Sequence, residues 1–181
     1  MKKILLTVLA LFLVVGSASA DSYIGMFNNT TSHAGPEDSE VTVVQNEPYT
    51  IYLMVNADWD VGFSSWQMKM DKHSGDFLAG VTYEDPDALV LGSPYDYSGW
   101  AVTNPNSCWY GWNLVCTIDM VYAGEGAHII EILPYNLTQY PVALNCAGDE
   151  YPLKVIGPFG VNMDVVPADE SSWGAVKSMY K

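Results

Sequence analysis

Arginine is absent from the 181 residues, and lysine is scarce at seven, against 21 aspartates and glutamates and a formal net charge of −14. Without clustered basic side chains a protein cannot neutralise a phosphate backbone, which excludes nucleic acid as a partner. Histidine is equally sparse, and His33, His73 and His128 stand in no HExxH or other metal-ligand spacing. The three cysteines include no CxxC, so they fit no zinc pattern and allow at most one internal disulfide. There is no G-x-S-x-G elbow and no phosphate-cradling glycine loop. Helical periodicity is nearly missing before the tail, and no segment after the first twenty residues approaches a membrane span.

What is present begins with Lys2 and Lys3, an apolar run over residues 4–15, and Ala18-Ser19-Ala20, which together read as a secretory signal peptide. The expected mature chain starts at Asp21 and is secreted or held at the cell surface of a bacterium. It keeps five lysines against 21 acids, a net charge of −16. That surface keeps an exported protein soluble. About 160 residues suit one domain, so the expected division is a leader (1–20), a β-domain (21–166) and a tail (167–181).

Alternation with period two is the strongest signal. Trp66, Met68 and Met70 alternate with Ser65, Gln67 and Lys69, and Ile51, Leu53 and Val55 line one face of residues 49–55. Residues 112–134 read as two strands around the turn Gly124-Glu125-Gly126, and they are expected to form a central antiparallel hairpin. Outward Glu131 places Ile130 and Ile132 inside. Shorter strands are predicted at 22–27, 41–44, 77–83, 88–91, 142–144, 151–156 and 160–166. About nine or ten short strands separated by turns predict an all-β antiparallel β-sandwich. In the tail, Trp173, Val176 and Tyr180 would share one side of a short helix.

Cys116 shares a predicted strand face with Leu114 and Ile118 and is expected to be buried. Cys108 and Cys146 sit in loop-like surroundings and are the expected disulfide, with Cys116 joined to either of them as the alternative.

Residues 40–71 carry Glu40-Val41-Thr42-Val43-Val44, then Tyr49-Thr50-Ile51-Tyr52-Leu53-Met54-Val55, then Val61-Gly62-Phe63 leading to Trp66-Gln67-Met68-Lys69-Met70-Asp71. This order resembles the opening of a cohesin-type sandwich, and residues 112–133 are similar to that family's unit of strand, glycine turn and strand. Met70-Asp71-Lys72 stands where the family carries Tyr-Asp-Pro. The resemblance covers roughly residues 40–166, and it implies a non-catalytic receptor or scaffold on a β-sandwich. Ser171-Ser172-Trp173-Gly174-Ala175-Val176-Lys177 also resembles a Ser/Thr-Trp-Gly-x-Ile/Val-Lys motif at the ends of uncharacterised exported bacterial proteins.

Two groups of residues are candidate sites. Tyr95, Tyr97, Trp100, Trp109, Tyr110 and Trp112 form an aromatic cluster. Exposed flat rings stack on sugar faces, while the alternative is that Trp100 and Trp112 are core. Asp58 and Asp60, with Asp71 and Asp76 a strand further on, could supply oxygens to Ca²⁺, the one cofactor the sequence offers; solvated turn acids are the simpler reading. For glycoside chemistry only Asp119 and Glu131, expected on neighbouring strands, come into question, and outward acids on a hairpin are ordinary surface residues. The expected function is an exported, non-catalytic binding or scaffolding module whose partner outside the cell is a protein. A carbohydrate-binding module with a polysaccharide partner is the second reading, and a glycosidase-like enzyme the third.

Overall fold

The computed structural model describes residues 21–31, 36–58, 60–71, 75–96, 99–124, 126–135 and 138–163, so the predicted leader, the tail, Tyr97 and His73 lie outside the described residues. Among the described residues, apart from one 3₁₀ turn at Pro36–Ser39, every regular element is a strand: β1 (Tyr23–Phe27), β2 (Glu40–Val41), β3 (Pro48–Ala57), β4 (Ser65–Asp71), β5 (Asp76–Tyr83), β6 (Leu89–Gly92), β7 (Trp100–Thr103), β8 (Gly111–Tyr122), β9 (His128–Leu133), β10 (Val142–Leu144), β11 (Glu150–Pro152), β12 (Lys154–Ile156) and β13 (Phe159–Val161). The all-β expectation holds, with thirteen strands among the described residues where nine or ten were expected.

The strands make two sheets. One runs β12-β1-β3-β8-β5, and the other runs β11-β10-β4-β9-β13-β2 with β7 on β4 and β6 on β7. Most pairs are antiparallel, but β1 with β12 and β13 with β2 run parallel, so the sandwich is mixed and not purely antiparallel. Ile51, Leu53, Val55, Cys116, Ile118 and Met120 point inward from the first sheet. Trp66, Met68, Trp100, Val102, Ile130 and Phe159 meet them from the second. Burying each large apolar side chain contributes roughly 1.5–3 kcal/mol.

The expected hairpin is the main correction. β8 pairs with β3 and β5 in one sheet, whereas β9 pairs with β4 and β13 in the other. The Gly124 turn therefore carries the chain across the core as an arch. Alternation along β9 is as expected, with His128, Ile130 and Ile132 inward and Glu131 out. In β8 it holds for Cys116, Ile118, Met120 and Tyr122, but the register shifts where Leu53/Met54 face Cys116/Leu114. Val115 is the extra residue of this bulge, so it is buried and Leu114 turns away. Strand boundaries also move: 41–44 shortens to the two residues of β2, and 151–156 splits at buried Leu153 into β11 and β12 of different sheets. Of the predicted 160–166, residues 164–166 lie outside the described residues, and the described part holds the end of β13.

Candidate functional site

Tyr97 lies outside the described residues, and the other aromatics predicted as one cluster fall in different places. Trp100, on β7, is fully buried; its ring meets Trp66 edge-on at 4.5 Å, and its Nε1 donates to the Tyr83 hydroxyl at 3.0 Å. It is core and cannot stack on a ligand, because the pairing of β7 with β4 turns it into the interior between the two sheets. Tyr95 is half-buried and points its hydroxyl at Met120 Sδ, 3.1 Å away. Burial pushes its phenol well above the ordinary value of 10.0, so it stays protonated. Tyr110 is 41% exposed, with its ring over Gly62. Gly62 has φ 61° and lies under both disulfide sulfurs, a position where a side chain would clash.

Trp109 remains as a half-buried ring at the surface. Its backbone exchanges two hydrogen bonds with Phe63 (2.8 and 2.9 Å), and its indole stands edge-on to that ring at 5.5 Å. Trp112, the last member of the predicted cluster, stands edge-on to Phe27 at 5.8 Å on the outer face of the first sheet. The two indoles line a cleft of about 500 Å³ that also takes in Met54, Leu114, Glu84 and Asn113. The signal for Trp112 was its place in the β8 alternation, but the Val115 bulge moves it off the core face.

The cysteines pair as expected. Cys108 and Cys146, with Cα atoms 5.7 Å apart, join the loop after β7 to the turn between β10 and β11, while Cys116 is buried and its thiol is pushed up by burial.

The four acids proposed for Ca²⁺ do not converge. Asp58 follows Ala57, which pairs with Gly111 at the start of β8, whereas Asp76 pairs with Tyr122 at its end. Eleven residues of strand separate the two ends, ~36 Å at 3.3 Å per residue, far beyond the reach of one cation. Asp71 ends β4 exposed, and Asp58 Oδ1 accepts a turn bond from Asp60 N at 3.3 Å. Among the described residues no three His, Cys, Asp or Glu gather as a metal site. Asp119 and Glu131 are likewise separated. Asp119 accepts from Thr50 Oγ1 at 2.8 Å in the first sheet, while Glu131 faces outward on the second. Two carboxylates in different sheets, both turned from the core, cannot flank one glycosidic bond.

Asp76 is instead a buried anchor. It accepts from the Tyr49 hydroxyl at 3.2 Å and shares a 2.7 Å hydrogen bond with His128 Nε2, over which Tyr122 stacks at 5.6 Å.

The outer face of the second sheet has a different character. The register places Leu89 and Leu91 of β6, Ala101 and Thr103 of β7, and Gln67 and Lys69 of β4 on one side. Ile129, Glu131 and Leu133 of β9 continue it. Leu89 and Leu91 are 63% and 69% exposed, and β6 is an edge strand that pairs only with β7. Ala101 and Thr103 keep the middle of this face low, and Leu89, Leu91 and Ile129 leave large apolar side chains exposed on it.

The fold defines a class, the cohesin-like β-sandwich. No protein-family model matches the chain, and no curated protein matches it in sequence. Solved structures do match. A cohesin module from a family 33 glycoside hydrolase of Clostridium perfringens aligns with a TM-score of 0.58 at 9% identity, covering 78% of this chain and 97% of that one. A non-cellulosomal cohesin from Archaeoglobus fulgidus gives 0.52 at 12% identity over 86% and 98%. A type I cohesin–dockerin complex from Clostridium thermocellum gives 0.57 at 12% identity over 78% and 98%. At these identities the likeness is one of fold.

Proposed function

We propose that this protein is an exported, non-catalytic interaction module that holds a protein partner of the dockerin type on the outer face of β6, β7, β4 and β9. The observation that carries the reading is the pair Leu89 and Leu91, large apolar side chains left in water on a sheet face that exposed Ile129 continues and whose centre, at Ala101 and Thr103, is small. Solvated leucines gain free energy when a partner covers them. Structures of this fold solved as cohesin–dockerin complexes support the choice of partner. A leader expected from Lys2 to Ala20 supports export. The wide separation of Asp119 and Glu131 supports a role without catalysis.

The test is calorimetric titration with dockerin modules encoded in the same genome. A Leu89→Asp, Leu91→Asp double variant should keep its thermal midpoint, since both residues are exposed, and should lose binding. Equal binding by the variant, or no binding by any dockerin, would sink the reading.

A further inference from the structure

We infer that the cleft between Trp109 and Trp112, on the sheet opposite the proposed protein-binding face, is a binding site for an uncharged glycan. The cleft crosses the outer face of the first sheet at the Gly111 end, from Glu84 just past β5, over Trp112 and Leu114 of β8, to Met54 of β3, with Thr30 on its far rim. Three adjacent strands span about 10 Å. The site is therefore a trough that takes an extended chain.

Its lining is chemically specific. Met54 and Leu114 give an apolar floor, and each indole rests edge-on against a fully buried phenylalanine, Trp112 on Phe27 and Trp109 on Phe63. Rings held in this way lose little freedom when a ligand arrives. Asn113 spends its Nδ2 on the carbonyls of Tyr110 (2.9 Å) and Gly111 (3.0 Å), so it presents Oδ1 as an acceptor. Glu84, also an acceptor, is exposed beside it. Thr30 is set in place by Asn29, whose Oδ1 accepts from Thr31 N at 2.9 Å and Thr31 Oγ1 at 3.2 Å.

A ligand must then bring hydroxyl donors for Glu84 and Asn113 and flat C–H faces for the indoles, which is the surface of a pyranose. No lysine lines the cleft. With Glu84 on the rim and a net charge of −14, uronic-acid or sulfated polymers are repelled. A lone ammonium group is a poor fit because it needs an enclosing cage, not an open trough.

The experiment is affinity electrophoresis of the purified protein through gels containing mixed-linkage β-glucan, xyloglucan, xylan or galactomannan. A polygalacturonate gel serves as the charged control, and microcrystalline cellulose as an insoluble arm. Slowed migration or retention on at least one neutral glycan, and none on polygalacturonate, is expected. Trp112→Ala should weaken it by about tenfold or more, with near-UV dichroism checking the fold. Thr30→Trp fills the trough from an exposed position and should do the same without touching the core. Leu89→Asp should leave glycan retention unchanged, which separates this site from the protein-binding face. No retention on any neutral glycan would overturn the inference. So would retention that survives both cleft variants.

Discussion

His128 of β9 and Asp76 of β5 share a 2.7 Å hydrogen bond across the interior, tying the two sheets together at the end of the sandwich away from the disulfide. Both are buried, and Tyr49 donates to the same carboxylate oxygen at 3.2 Å. Removing one member leaves the others facing a dry space.

Asp76→Ala is therefore expected to cost about 3 kcal/mol and to lower the thermal midpoint by roughly 6–12 °C. Asp76→Asn keeps the shape and some of the hydrogen bonding and should fall between. Differential scanning calorimetry decides; a midpoint in Asp76→Ala within a degree of the parent would remove the anchor from the account.

Alkaline conditions should loosen the fold through the same region. Burial, and then the nearby Asp76 charge, hold the Tyr49 and Tyr95 phenols above the ordinary value of 10.0, while unfolding returns them to it. A group raised in the folded state contributes fully below its unfolded pKa and loses that contribution as pH rises toward the folded one. Stability should be flat from pH 8 to about 9.5 and then fall by roughly 1.4 kcal/mol per pH unit for Tyr49 alone. Urea midpoints between pH 8 and 11 measure this, and Tyr49→Phe should flatten the slope.

The disulfide closes a separation of 38 residues, for which the chain-entropy treatment gives about 4 kcal/mol. Reduction should accordingly lower the thermal midpoint by roughly 8–16 °C. In the unreduced native protein Cys116 should resist thiol reagents and react only in denaturant, since it is buried and its thiol pushed up. Rapid native labelling would place that residue at the surface.

Gly62→Ala should cost about 1–2 kcal/mol from the left-handed backbone alone. It should also disturb Tyr110, whose ring occupies the space a Cβ would need. Thermal melts and near-UV dichroism of the tyrosine band report the two effects separately.

Legibility in the sequence followed the range of the forces involved. Trp66, Met68 and Met70 announce a strand face because alternation is local, and Cys116 is placed correctly for the same reason. The β-sandwich was visible from the succession of such faces, and its cohesin-like form from the resemblance of residues 40–71 and 112–133 to that family. Partners were not. The turn at Gly124 looks like that of a hairpin, yet β9 lies in the other sheet because His128, Ile130 and Ile132 are completed by β4 and β13, far away in the chain. The aromatic cluster failed in a similar way: Trp100 and Trp109 are both flanked by loop-like residues, and only the pairing of β7 with β4 sends the first inward. The acids at 58, 60, 71 and 76 were near one another in sequence, but β4 runs the length of the sandwich between them.

The two parallel pairings bear on when the fold can exist at all. Tyr23 waits for Lys154, and Glu40 waits for Gly160, each roughly 120–130 positions later. A chain emerging from its N-terminus thus carries its first strand unpaired on one edge until residues 154–156 are free. Both sheets are closed by contacts between distant stretches of chain, so commitment to the native state comes late in folding, and a partly made chain is kept from folding too soon by its own topology.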